Sequence, residues 1–257
     1  MSDAEDEGRY RAPALDKGLD MLELLASTDE GLTLKDISTA LGRSATELYR
    51  MLDRLARRGY VARRDDRYEL TLKLFLLAHR RPPLRRLVAQ ATPVMRRFVA
   101  TSEQACHLVS YDRGDLVVIA QIDSPGYWGL TIRVGSRIGM VNTGSGHTLL
   151  AHASAEGRAL MFREHDPILQ EAPPGDFDQR LDRVRDRGYE SMESLQIPGV
   201  TNLSVPVFGA NGTVLAALTC PHVQRLDNPG TPPLATVLAL LIAAGKDLSG
   251  EAAPRDV

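Results

Sequence analysis

The apolar positions change period along the chain. In residues 14–26 (ALDKGLDMLELLA), Leu15, Leu19, Leu22 and Ala26 recur at helical spacing and predict one apolar face. In LTLKDISTALG, Leu34, Ile37 and Leu41 share a second face, with Thr33 placed to cap the helix and Gly42 to end it. In RSATELYRMLDRLARRG, Leu48, Met51, Leu52 and Leu55 predict a third buried stripe. The S-x-x-E run Ser44–Glu47 fits a capping box at its start, and Gly59 closes it. YVARRDDRYELT predicts two short strands around a polar turn at Asp65-Asp66. Residues 72–79 return to helical spacing until Pro82-Pro83. Leu84, Leu87, Val88 and Ala91 begin a new pattern. Thr92-Pro93 then fits the N-cap and first position of a helix carrying Val94, Met95 and Phe98.

Behind this the pattern mixes. Residues 104–123 predict a hairpin around Asp112-Arg113-Gly114, and 128–134 (WGLTIRV) a third strand. Residues 146–153, 156–163 and 177–187 predict helices, the last stopped by Gly188. Two strands, 200–208 and 213–220, flank an Asn211-Gly212 turn, and 233–248 predict an apolar closing helix. The fold class is α+β, with an antiparallel sheet flanked by helices.

Helix, helix, short turn, helix, hairpin is the order of a winged helix-turn-helix, whose third helix enters the DNA major groove. The face opposite Leu48 and Leu52 carries Thr46, Arg50, Asp53 and Arg57, with Tyr49 and Arg54 on its flanks. Arg50 suits a bidentate contact to guanine. Arg43 before the helix and Arg63, Arg64 and Arg67 around the hairpin suit phosphates. Ser44 and Ala45, at the helix start, complete the DNA-facing set. The alternative is a solvated charged face on a small helical domain.

Charge agrees once it is divided. The net charge of −2 over 257 residues hides four acids and no base in residues 1–8, +6 in residues 9–90 and −4 in the rest. The length exceeds one usual domain. Of the 31 basic residues only four are Lys, which suits phosphate binding, although a coding bias toward Arg gives the same composition. The acidic N-terminus lacks a secretory signal, and the most apolar run, Leu234 to Gly245, is too short to span a bilayer. Two cysteines make no disulfide framework, so the expected compartment is the cytoplasm.

In order and spacing, several segments resemble the IclR family of bacterial transcriptional regulators. They are ALDKGLDMLELL, LGRSATELYRMLDRLARRGYV, DRYELTLKLFLLA, TGSGHTLLAH, RVRDRGYE and GVTNLSVPVFGANGTVLAALT, and they run from about Ala14 to about Leu248. The resemblance implies a homodimer or dimer of dimers on double-stranded operator DNA. It also implies a GAF-like mixed α/β C-terminal domain that binds a small organic effector, with no cofactor and no membrane partner. The implied layout is an acidic tail over 1–11 and a winged helix-turn-helix over 12–73, with the helix-turn-helix at 33–54 and the wing at 60–71. A linker helix over 74–90, an effector domain over 91–250 and a tail over 251–257 follow.

The family's effector pocket aligns with Gly144, Ser145, Met192, Asn202, Thr219 and Pro221. Met192, Leu195 and Pro221 depart from the family pattern by replacing polar groups with apolar ones, which favours a more apolar ligand. Asn202 and Thr219 remain as orienting groups. The alternative is that Met192 fills core. His147 stands where the family often has Lys.

Two other readings use the same residues. Cys106, His107, Cys220 and His222 offer a metal- or redox-responsive regulator, but their spacings are not those of a zinc finger, and alternation sends Cys106 and His107 to opposite faces. Ser145 within Gly-Ser-Gly-His offers an enzyme with a vestigial DNA domain, but it lacks the G-x-S-x-G spacing. Tyr127-Trp128 are placed as a pocket wall or lid.

Overall fold

A computed structural model describes residues 12–80, 82–127, 129–165, 173, 175–226, 228 and 230–249. The acidic tail 1–11, Trp128 and the tail 251–257 lie outside the described residues. The chain divides after Arg85 into two compact units.

The first unit opens with α1 (Pro13–Ala26), β1 (Leu32–Thr33), α2 (Leu34–Leu41) and α3 (Ala45–Arg57). The hairpin β2 (Val61–Arg64) and β3 (Arg67–Leu70) and the helix α4 (Lys73–Arg80) follow. The strands form an antiparallel sheet in the order β1-β3-β2, with the wing turn at Asp65-Asp66 and Asp65 at φ 54°. Met21, Leu25, Ile37, Leu48, Leu52, Val61 and Tyr68 are the buried core. The face of α1 differs from the periodic reading: Met21 and Leu25 are buried, while Leu15 and Leu19 stand 61% and 46% exposed. The helix has two apolar faces, and α2 and α3 cover only one. Thr33 and Asp36 form a reciprocal capping box on α2. The box expected on α3 is half made. Ser44 accepts from the Glu47 amide, but the Glu47 carboxylate pairs with Lys17 instead.

The second unit begins within α5 (Pro82–Ser102) and continues with β4 (Cys106–Asp112), β5 (Asp115–Ile122), β6 (Arg137–Ile138), α6 (Gly144–His152) and α7 (Ala155–Glu164). It ends with α8 (Phe177–Arg187), β7 (Glu190–Glu193), β8 (Val200–Phe208), β9 (Val214–Val223) and α9 (Leu234–Ser249). The stretch 74–90 is therefore not one linker helix. α4 stops at Arg80, and a new helix begins at Pro82, because prolines are accepted in a first turn and not in an interior. Thr92-Pro93 does not start a helix either; Pro93 lies inside α5, and Thr92 Oγ1 donates back to the Val88 carbonyl at 2.7 Å. Burial of Ala91, Met95 and Phe98 on the sheet outweighs the interior proline, which costs about 3 kcal/mol.

The sheet is antiparallel in the order β6-β5-β4-β9-β8-β7. On one face Cys106, Leu108, Leu203, Leu218 and Cys220 pack against α5 and α9. On the other, Val109, Val118 and Ala217 pack with Leu149, Leu150, Leu181 and Val184 of α6 and α8. Two local expectations change. Residues 129–134 are not a strand, and the edge pairing with β5 comes from Arg137–Ile138 instead. Glu190–Glu193, poor in strand-forming residues, pairs with β8 as the opposite edge.

Residues 144–151 of α6 are buried throughout. A Cβ on Gly146 would lie 1.9 Å from the Met140 carbonyl oxygen, whereas one on Gly18 of α1 would meet nothing within 4 Å. Gly146→Ala should destabilise the protein by roughly 1–3 kcal/mol through overpacking. Gly18→Ala should stabilise it by roughly 0.5–1 kcal/mol. Urea midpoints of the two variants should move in opposite directions, and a shared direction would contradict this packing.

Candidate functional site

Two sites emerge, one in each unit. In the first, Ser44 caps α3, so Arg43, Ser44, Ala45, Thr46, Tyr49 and Arg50 fall together at its exposed N-terminal end. Leu48 and Leu52 anchor the opposite face at full burial. The wing holds Arg63, Arg64 and Arg67, all exposed. Several of these arginines already have local partners. Arg43 is 3.9 Å from Asp20, and Arg64 is 3.5 Å from Glu69. Arg63 donates to the Asp65 carbonyl and lies over the Tyr68 ring, and Arg67 donates to the Gly31 carbonyl. Such exposed contacts cost little to exchange for phosphate. Arg50 has no ion pair among the described residues.

The second site is a cavity of about 380 Å³ in the other unit. The α6 N-terminus forms one wall. Thr143 caps it by accepting from the Gly146 amide at 3.1 Å and donates to the Gly139 carbonyl at 2.6 Å. The amides of Gly144 and Ser145 lead the helix, where no intrahelical carbonyl exists for them. The floor is one face of the sheet. Asn202 pairs with Pro221, His107 with Thr219, and Thr219 with Ser204. Hydroxyls link floor to wall: Ser145 Oγ and Thr219 Oγ1 are 2.8 Å apart, and Thr219 Oγ1 donates to Ser204 Oγ at 2.8 Å. Leu130, Ile132, Ile138 and Ile197 make the remaining walls largely apolar. Gln196 Nε2 closes one side by donating to the Asn142 carbonyl at 3.0 Å.

Five of the six expected effector residues line this cavity: Gly144, Ser145, Asn202, Thr219 and Pro221. Met192 does not. It is 6% exposed and pairs across the sheet with Asn202, but it does not reach the cavity lining. Leu195 is 59% exposed and does not line the cavity either. Ser194, Gln196 and Ile197 take the place that the alignment gave to these two.

The sequence reading also missed His107 and Asn142 as cavity residues. His107 is 3% exposed, and burial pushes its imidazole down to about 4, so the ring is neutral. Among the described residues no hydrogen bond reaches that ring. Asn142 Oδ1 is buried without a partner. Arg137, paired with Asp115, lines the cavity, and among the described residues no carboxylate does. Strand alternation places His107 opposite Cys106. Only the β4–β9 register, which joins distant parts of the chain, sets it beside Thr219.

The Cys/His set does not converge. Cys106 and Cys220 face the apolar core, where burial pushes the Cys106 thiol up to about 12 and the Cys220 thiol well above its ordinary value. His107 faces the cavity on the other side of the sheet. Ser145 Oγ is hydrogen-bonded to a threonine hydroxyl, and among the described residues no histidine or carboxylate bonds it.

Comparison with known proteins gives a family for both units. Residues 14–65 match the IclR helix-turn-helix domain, and residues 84–250 match the bacterial transcriptional regulator IclR C-terminal domain. The chain is 28% identical to the HTH-type transcriptional regulator BhcR of Paracoccus denitrificans, over 98% of this chain and 91% of that one. It is also 28% identical to the HTH-type transcriptional regulator KdgR of Escherichia coli, over 72% of this chain and 73% of that one. The fold matches Thermotoga maritima IclR with a TM-score of 0.72 at 20% identity, covering 93% of this chain and 98% of that one. It matches an IclR homologue from Microbacterium hydrocarbonoxydans, complexed with 4-hydroxybenzoate, with a TM-score of 0.74 at 22% identity, covering 92% and 97%. The chain belongs to the IclR family of bacterial transcriptional regulators.

Proposed function

We propose that this regulator reads its operator with Arg43, Ser44, Ala45, Thr46, Tyr49 and Arg50, steadied on phosphates by Arg63, Arg64 and Arg67. Its rear unit takes a small, largely apolar organic anion. The observation that carries this reading is the cavity at the leading amides of a buried helix, with no carboxylate among its described lining. A helix N-terminus favours an anion, and the apolar walls favour a hydrocarbon body. Asn142 Oδ1 and the neutral His107 ring then meet polar groups elsewhere on the ligand. The 4-hydroxybenzoate bound by the Microbacterium hydrocarbonoxydans homologue supports a small organic acid as the ligand class.

The effector alters operator affinity to the extent that it binds two states of the protein unequally. The working form is a homodimer or dimer of dimers in the cytoplasm. Exposed Leu72, Phe75 and Leu76 of the first unit, at 74%, 57% and 53%, support a partner chain covering them. Among the described residues no helix is long and apolar enough to cross a membrane.

Operator binding should fall with rising salt, and Arg50→Ala should cost about 1–3 kcal/mol of operator affinity while relaxing sequence preference. Arg64→Ala should weaken all sequences alike. Fluorescence anisotropy with operator and scrambled duplexes separates the two, and equal loss on both duplexes for Arg50→Ala would sink its role in base reading.

His107 gives a pH test. Folding lowers it from 6.5 to about 4, so between those values the unfolded chain binds a proton that the folded chain does not. Its contribution to stability is present above 6.5 and is lost as pH falls toward 4. Melting temperature should therefore drop less between pH 7 and pH 5 in His107→Gln than in the unsubstituted protein; parallel curves would show that His107 is not held neutral.

A further inference from the structure

Behind the cavity wall lies a buried cluster of ionisable side chains that does not line the cavity. His147, on the first turn of α6, is fully buried, and Glu190, on β7, is 1% exposed. The imidazole sits between two acceptors. Nε2 is 2.9 Å from the Val141 carbonyl oxygen, and Nδ1 is 2.9 Å from Glu190 Oε2. A carbonyl has no proton to give, so Nε2 donates. The Glu190 carboxylate also accepts from the Ser191 amide at 2.8 Å and from Arg187. Burial raises its pKa, but His147, Arg187 and Ser191 more than offset that and leave it lowered. Glu190 also takes these other donors, so its oxygen opposite Nδ1 is an acceptor that calls for a donor there as well.

The other charges facing the pair come from α8. Arg180 Nη1 is 4.0 Å from Glu190 Oε2, Arg187 bonds Glu190, and Asp176 pairs with Arg180 and Arg183. The Phe177 ring meets His147 edge-on at 5.4 Å.

We propose that His147 and Glu190 are positioning residues of the effector cavity. The doubly protonated His147 ties three pieces together: the Val141 carbonyl ahead of α6, the first turn of α6, and β7. The first turn presents the Gly144 and Ser145 amides. β7 runs into the Ser194–Ile197 wall, and Gln196 returns from there to the Asn142 carbonyl. A Cβ on Gly144 would come within 3.7 Å of Glu190 Cγ, so the pair lies directly against the amide-bearing turn. The ion pair sets the spacing between two cavity walls. This inference rests on reading that cavity as the effector site, but its test needs no effector, so the two can fail separately.

The test uses the full chain without ligand. Nitrogen-15 NMR at neutral pH should show both His147 ring nitrogens protonated. Hydrogen–deuterium exchange of Glu190→Gln should be at least tenfold faster in residues 142–148 and 190–197, with α5 and α9 unchanged. His147→Lys, which keeps a cation opposite Glu190, should retain slow exchange in both segments. One bare ring nitrogen in the unsubstituted protein would overturn the proposal. So would unchanged exchange in Glu190→Gln, faster exchange throughout the unit in that variant, or fast exchange of both segments in His147→Lys. The NMR signature decides the matter even if a variant fails to fold.

Discussion

The burial of α6 is the constraint on which the sensing unit depends. A helix covered along residues 144–151 cannot offer a polar stripe to water, so its own residues must satisfy every neighbour. Gly146 lets it approach the Met140 carbonyl. Thr143 and Ser145 use their hydroxyls to join the loop and the sheet. His147 puts two ring nitrogens in a place where every polar group needs a partner, and Glu190 and the Val141 carbonyl are those partners. Leu149 and Leu150 supply the apolar side. Polar contacts are thus gathered in the first turn of α6, and its apolar packing comes later. That is why the helix can present free amides at one end and anchor a core at the other.

The cavity follows from this division. One face of the sheet is closed by α5 and α9 over Leu108, Leu203 and Leu218. The other is covered by α6 and α8 only in part, and the uncovered area carries His107, Asn202, Thr219 and Pro221. Strand alternation therefore separates structure from sensing residue by residue: Cys106 is core and His107 is cavity; Cys220 is core and Thr219 is cavity. The same alternation separates the His107 imidazole from the two thiols, and among the described residues no group of three or more His, Cys, Asp or Glu side chains could hold a metal ion. In the first unit α3 makes a similar division, with Leu48 and Leu52 holding the helix down while Tyr49 and Arg50 stay out.

Much was legible because the relevant contacts are local. Helical spacing in 34–57, the Thr33 cap, the left-handed Gly42 and Gly188 and the Asn211-Gly212 turn each depend on residues a few positions apart. The winged order and the family resemblance rest on such segments, and so does the exposed set at the N-terminal end of α3. The readings that changed all needed a distant partner. Leu15 and Leu19 have helical spacing but nothing from α2 or α3 above them. Pro93 is tolerated because the sheet buries its helix. Residues 129–134 have strand composition without a strand to pair with, and ESME has a strand partner without the composition.

The sequence by itself determined the two-part organisation and the helix-turn-helix, because these follow from local periodicity, capping and motif spacing, while five of the cavity residues came through the family resemblance. The tertiary structure alone decided that Met192 is buried outside the cavity lining, that His107 and Asn142 line it, and that His147 meets Glu190. Those facts depend on strand register and helix burial, which bring together residues from 43 to more than 100 positions apart. No local pattern encodes such separations, because it is the packing of the whole unit that sets them.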